Sequence, residues 1–244
     1  MTAPRARGGS GAGAAAFETA LLHARTPVIM ELKRRSAHGA DLFRGRTAAE
    51  LVAAYEALGA PALSVVTGSW FGGGPELLAD VVAATELPVL VKDFLTKERQ
   101  LADAAAHGAA AILLTAGLLP RTVLPRLIEG CLAHGLTPFV EVTAEAELAS
   151  VVHADRCVIA VNNKDIRQRE RDAGGPERSR GLLPAVLATG TRVPVSASGI
   201  RTPGQAADLL SAGYRALLVG TGLLLQDDLR AWFAALERQR ERVR

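Results

Sequence analysis

The sequence predicts a single α/β domain folded as a (β/α)8 TIM barrel, and three observations carry that prediction. Eight short apolar runs recur along the 244 residues, at intervals of about 20 to 35. The runs are continuous rather than alternating, which suits strands covered on both faces. Segments rich in Ala and Leu with helical spacing separate them, so strands and helices alternate as in parallel βα units. An open doubly wound sheet is the main competitor, but it would place a glycine-rich turn after its first strand. Here the first run continues as Glu31-Leu32-Lys33-Arg34-Arg35-Ser36.

In chain order the expected strands are 27–32, 62–67, 87–91, 110–115, 138–142, 157–162, 193–197 and 216–220. The expected helices are 47–58, 75–85, 97–107, 120–134, 144–153, 180–189, 203–212 and 227–238. Pro75, Pro120 and Pro203 fall where a first helical turn tolerates a missing N–H. Gly59, Gly108, Gly135 and Gly213 fall just after helices, where a left-handed residue is wanted. Residues 1–16, rich in Gly, Ala and Arg, read as a disordered tail, and 17–244 as one catalytic barrel domain.

Apolar residues make up 49% of the chain and aromatics 4%, so a large core must be built from Ala, Val, Leu and Ile. The net charge of +3 comes mostly from the closing stretch Arg238, Arg240, Arg242 and Arg244, which reads as a solvated helix end. A nucleic-acid partner would need a basic face with interleaved aromatics, and none is present. Cys131 and Cys157 lack metal-ligand spacing and read as buried, reduced thiols. No apolar run approaches the ~20 residues of a membrane span, and no signal peptide is recognisable. The expected protein is therefore cytoplasmic, with no membrane partner.

Lysine occurs at four positions only: Lys33, Lys92, Lys97 and Lys164. A chain that otherwise uses Arg keeps an amine where a proton must move, since guanidinium stays charged near neutral pH. Three of the four fall at strand ends, and the active site of a parallel barrel lies at the C-terminal ends of its strands. The first strand ends in Glu31 and Lys33, the third in Lys92-Asp93-Phe94, the fifth in Glu141 and the sixth in Asn162-Asn163-Lys164. Glu31 and Lys33 are two apart and share a face. They either close the mouth as a salt bridge or act as a carboxylate that orients a catalytic ammonium. Lys92 and Glu141 around the same mouth favour acid–base chemistry, with each group tuned by its neighbours.

The seventh and eighth strands end in Ser198-Gly199-Ile200 and Gly220-Thr221-Gly222. Small turns there let backbone N–H groups approach an anion, and loops after these two strands are the usual phosphate site of such barrels. Ser198, Gly199, Gly220 and Thr221 are the candidate phosphate ligands. His107, His134 and His153 end helices on the opposite side, whereas His38 lies in the first loop and can reach the mouth. No metal site is expected.

These residues together resemble the indole-3-glycerol phosphate synthase family, from about Pro27 to Leu225. The resemblance is carried by Glu31-Leu32-Lys33-Arg34-Arg35-Ser36, by Ser64-Val65-Val66-Thr67 followed by Phe71-Gly72-Gly73, and by Leu87-Pro88-Val89-Leu90-Val91-Lys92-Asp93-Phe94. It continues through Val140-Glu141-Val142, Val161-Asn162-Asn163-Lys164-Asp165 and Ser198-Gly199-Ile200. Such a resemblance implies a carboxy-lyase of tryptophan biosynthesis. It implies closure, decarboxylation and dehydration of 1-(2-carboxyphenylamino)-1-deoxyribulose 5-phosphate to indole-3-glycerol phosphate, with no cofactor. Lys92 would then be the general acid on the ketone oxygen, and Glu141 the acid–base partner of the later steps. Lys33, held by Glu31, would contact substrate and assist dehydration. Ser36, Phe71, Phe94, Asn162 and Lys164 would bind substrate. The expected partner is a phosphorylated small molecule, and the expected assembly a monomer or weak homo-oligomer.

The chain departs from the family's usual pattern at four places. Ala197 replaces a Glu, Lys164 an Arg, and the first loop reads Ser36-Ala37-His38-Gly39-Ala40 rather than Ser-Pro-Ser-Lys-Gly. The segment before the first strand is also short. These departures leave open a specialised relative using the same acid–base core on a different amino-sugar phosphate. A non-catalytic barrel that binds a phosphorylated metabolite is the third alternative, and the retained Glu31, Lys33, Lys92 and Glu141 weigh against it.

Overall fold

A computed structural model of the chain describes residues 12–165, 172 and 174–243. Eight parallel strands close into a barrel in sequential order. They are β1 (Val28–Leu32), β2 (Leu63–Val66), β3 (Val89–Lys92), β4 (Ala111–Thr115), β5 (Thr137–Val142), β6 (Val158–Asn162), β7 (Val193–Ala197) and β8 (Ala216–Val219). Every strand residue is buried, because the outer face lies under helices and the inner face inside the barrel. The (β/α)8 expectation is met strand for strand.

The helices are α1 (Ala12–Leu22), α2 (Ala48–Ala57), α3 (Pro75–Ala84), α4 (Glu98–Ala106), α5 (Leu124–Ala133), α6 (Glu145–Leu148), α7 (Glu177–Ala188), α8 (Pro203–Ala212), α9 (Thr221–Leu224) and α10 (Leu229–Val243). Thr47 and Thr202 start α2 and α8 as capping boxes, each hydroxyl accepting from the backbone three residues on. Gly108 and Gly135 take φ of 86° and 69° just past α4 and α5, as their sequence positions predicted.

Several elements differ from the sequence reading, among them α9, a helical turn that was not expected. The helix expected over 144–153 is a single turn, α6, followed by a 3-10 turn at Ala154–Arg156. The β-branched pair Val151-Val152 has low helix propensity, and His153 breaks the path at φ 50°. The helix expected from Pro120 begins at Leu124, with Pro125 rather than Pro120 in its first turn. The tail expected over 1–16 lies outside the described residues up to 11, but from Ala12 the chain is already in α1. Phe17 and Leu21 of that helix are buried, and Phe17 meets Phe139 edge-to-face at 6.4 Å. Glu18 pairs with Arg192, just before β7, at 3.3 Å. This helix therefore plugs the N-terminal end of the barrel, opposite the mouth.

Two apolar layers result. Outward residues such as Met30, Leu63, Val91, Ile112 and Val140 pack against the helices. Inward residues such as Ile29, Leu90, Phe139, Ala160, Val195 and Leu218 form a second cluster that Phe17 and Leu21 join from below.

Candidate active site

Side chains two apart on a strand point the same way, so the next inward position above each apolar plug residue faces the mouth. Above Ile29 is Glu31, above Leu90 is Lys92, above Phe139 is Glu141, and above Ala160 is Asn162. All four are buried. Buried charges persist only when paired, and these are. Lys92 Nζ lies 3.3 Å from Glu31 Oε2 and 3.9 Å from Glu141 Oε2. Lys33 Nζ lies 3.7 Å from Glu31 Oε1 and 5.1 Å from the centroid of the Phe71 ring. Asn162 Nδ2 donates to Glu141 Oε1 at 3.0 Å. Two amines and two carboxylates thus form one connected chain across β1, β3 and β5.

Two cavities open on this chain and share Glu31 and Lys33 as a common wall. The larger, about 380 Å3, runs toward the ends of β7 and β8 and is lined there by Ser198, Gly199, Ile200, Gly220, Thr221 and Gly222. The smaller, about 40 Å3, is mainly apolar and is bordered by Trp70, Phe71, Phe94 and Leu113 beside Lys92 and Glu141. The arrangement offers an anion-accepting end, an aromatic end, and proton donors and acceptors where the two meet.

The anion end is built from close backbone approaches. Ser198 and Gly199 are consecutive left-handed residues, φ 64° and 71°. The N–H groups of Ser198, Gly199 and Ile200 donate to no acceptor among the described residues. A Cβ on Gly222 would overlap the Ile200 carbonyl oxygen, so the two turns touch. A Cβ on Gly220 would overlap Glu31 Oε1. Gly220 thus gives the carboxylate its place as well as lining the cavity.

The remaining expected residues divide. Lys164 lines the larger cavity, and its N–H donates to Asn162 Oδ1 at 2.9 Å. Phe71 is buried, whereas Phe94 is 39% exposed at the rim, 6.4 Å from Trp70. Ser36 lines neither cavity; its Oγ accepts from the N–H groups of His38 and Ala40 and closes the first loop on itself. The hydroxyl oxygen closes this local turn, and His38 lines the larger cavity. Among the lining residues that sequence reasoning missed are Trp70, Asp172, Arg201 and Gln226. Trp70 had a signal, since it directly precedes Phe71 in a chain with two tryptophans. Asp172 had none, lying in a long connection without pattern. Burial pushes the Cys131 and Cys157 thiols up to about 12, and both are free. No described group of three or more His, Cys, Asp or Glu could hold a metal, and no described helix is long and apolar enough to cross a membrane.

The family model for indole-3-glycerol phosphate synthase matches residues 11–236. The chain belongs to the indole-3-glycerol phosphate synthase family. It is 37% identical over 163 residues to the indole-3-glycerol phosphate synthase of Thermococcus kodakarensis, covering 66% of this chain and 71% of that one. It is 41% identical over 172 residues to indole-3-glycerol phosphate synthase 1 of Streptomyces coelicolor, covering 68% and 64%. The synthase of Mycobacteroides abscessus matches over 210 residues at 36%, covering 86% and 75%. In this synthase-family chain Ala197 belongs to the inner apolar cluster and lines neither cavity. Ala197 is fully buried at the top of β7, in register with Asn162 on β6 and Leu218 on β8.

Proposed function

We propose that this barrel acts as an indole-3-glycerol phosphate synthase, a carboxy-lyase that converts 1-(2-carboxyphenylamino)-1-deoxyribulose 5-phosphate to indole-3-glycerol phosphate, carbon dioxide and water. The observation that carries this reading is the Lys92 ammonium between two buried carboxylates, where an anion-accepting cavity meets an aromatic one. The phosphate lies against the turns of Ser198, Gly199, Gly220 and Thr221. The aryl ring lies between Phe71, Trp70 and Phe94, and Asn162 and Lys164 hold the sugar.

The aryl carbon bearing the carboxylate then forms a bond to the ketone carbon, and Lys92 protonates the ketone oxygen as its charge develops. Carbon dioxide leaves and the ring regains its aromatic electrons. Dehydration needs an acid for the departing hydroxyl and a base for the carbon-bound proton, and Glu141 and Lys33 supply them. Glu31 pairs with both lysines and aims them. The test is steady-state formation of indole-3-glycerol phosphate by the purified protein, together with rescue of a tryptophan auxotroph lacking the synthase. A folded protein inactive in both would overturn the assignment.

Ala197 favours one second reading. Its methyl brings no carboxylate to the inner face of β7, which leaves the acid–base core compatible with a different amino-sugar phosphate. Turnover of a broader panel of such phosphates, against negligible turnover of the carboxyphenylamino compound, would select it.

A further inference from the structure

The two asparagines that end β6 face different tasks. Asn162 meets Glu141 in the mouth. Asn163 points behind the site, is buried, and reaches the strand next door. Its Nδ2 lies 3.1 Å from Ser196 Oγ, 3.1 Å from the Ala197 carbonyl oxygen and 3.0 Å from the Ser198 carbonyl oxygen. Its Oδ1 accepts from the Ser179 N–H at 3.1 Å. A backbone N–H can only donate, so this bond settles which end of the amide is oxygen. Ser179 is anchored in turn: its Oγ lies 2.7 Å from Ser196 Oγ, and its carbonyl accepts from the Tyr214 hydroxyl at 2.8 Å.

The Ser198–Gly199 turn needs such a hold. Ser198 sits at φ 64°, a region that side chains disfavour and glycine does not. In a planar trans peptide the carbonyl and the following N–H point in opposite directions. By holding the Ala197 and Ser198 carbonyls, Asn163 therefore turns the Ser198 and Gly199 N–H groups away from itself. Both residues line the larger cavity.

We propose that Asn163 is a positioning residue that presets the Ser198–Gly199 turn for the substrate's phosphate, without touching substrate. The proposal rests on the phosphate reading of that turn given above. An unpinned turn must be ordered by the ligand, so its loss falls on binding rather than on proton transfer at Lys92 and Glu141.

The test is binding of inorganic phosphate by calorimetry, with kcat and KM for the carboxyphenylamino substrate, in four proteins: wild type, Asn163→Ala, Ser198→Gly and the double variant. Thr221→Glu serves as the site control. Asn163→Ala should weaken phosphate binding about tenfold, the ratio set by ~1.4 kcal/mol, and raise KM by more than it lowers kcat. A merely structural residue would lower the melting temperature and leave the phosphate Kd of the folded protein unchanged. Where Asn163→Ala folds poorly, the Kd of the double variant is compared with that of Ser198→Gly, whose glycine takes the left-handed position freely. Phosphate affinity within twofold of the parent, with binding abolished in Thr221→Glu, overturns the role of Asn163 alone. Wild-type protein that binds no phosphate, or Thr221→Glu that binds it unchanged, overturns the phosphate reading itself.

Discussion

Lys92 and Glu31 face each other across the intervening strand β2, with Nζ and Oε2 3.3 Å apart. Each is buried, and each has a further partner: Glu141 for Lys92, and Lys33 for Glu31. Four charges of alternating sign therefore share one low-dielectric site, where a proton moved onto or off any one of them is felt by the others.

Lys92→Ala should lower turnover by about 10²–10⁴-fold, the range for a lost general acid. The barrel should remain folded by circular dichroism, because the cut side chain faces the mouth rather than the helix layer. It leaves Glu31 and Glu141 without their shared cation, so the melting temperature should fall. Near wild-type turnover in Lys92→Ala would refute the mechanism.

Gly220→Ala tests the contact between β8 and Glu31. The added methyl occupies the space of Glu31 Oε1, while the backbone, at φ −109°, is outside the left-handed region. Glu31 must swing away from Lys33 and Lys92. Displacements of this size at a reacting centre cost about 10²-fold in rate. Unaltered kcat/KM would show that the Glu31 pairings are dispensable.

Sulfate or phosphate should raise the melting temperature of the protein. A ligand at 100 times its Kd adds about 2.7 kcal/mol of stability, which amounts to several degrees for a chain of this size. Thr221→Glu should remove the shift by like-charge repulsion. Gly199→Glu should remove it too, but less cleanly, because Gly199 is left-handed and its Cβ would press on Gly174 and Gly175. A shift that survives in both variants places the anion elsewhere.

Ala197→Glu separates the two substrate readings. If the carboxyphenylamino compound is the substrate, the added carboxylate meets a partner and turnover should rise. If the substrate is another amino-sugar phosphate, the change buries a carboxylate with no partner, which is costly. Affinity for that substrate should then fall, with indole formation negligible in both proteins. Steady-state kinetics on the carboxyphenylamino compound, wild type against variant, decides.

Cys131 and Cys157 should resist alkylation in the folded protein near pH 8. With thiols held up to about 12, almost no thiolate is present, and the thiolate is the reacting form. Labelling should appear only as urea unfolds the chain. Rapid labelling of native protein would contradict their burial.

The sequence by itself determined the barrel and the polar residues that gather at its mouth. Eight apolar runs, each covered on both faces, leave little choice of architecture, and polar residues at their ends could only face the open side. That is why Glu31, Lys33, Lys92, Glu141 and Asn162 were legible: strand parity alone sends them to one place. Tertiary structure decided what depends on distance rather than period. It set Lys92 between two carboxylates rather than one, gave Gly220 its role against Glu31, and turned the Ser36 hydroxyl oxygen onto its own loop. It also turned an Ala-rich opening into a plug, because Phe17 and Leu21 have an apolar interior to enter only once the barrel has closed. Asn163 shows the same limit most plainly. Its neighbour in sequence points into the mouth and it points behind, and only the closed sheet supplies the carbonyls of Ala197 and Ser198 for it to hold.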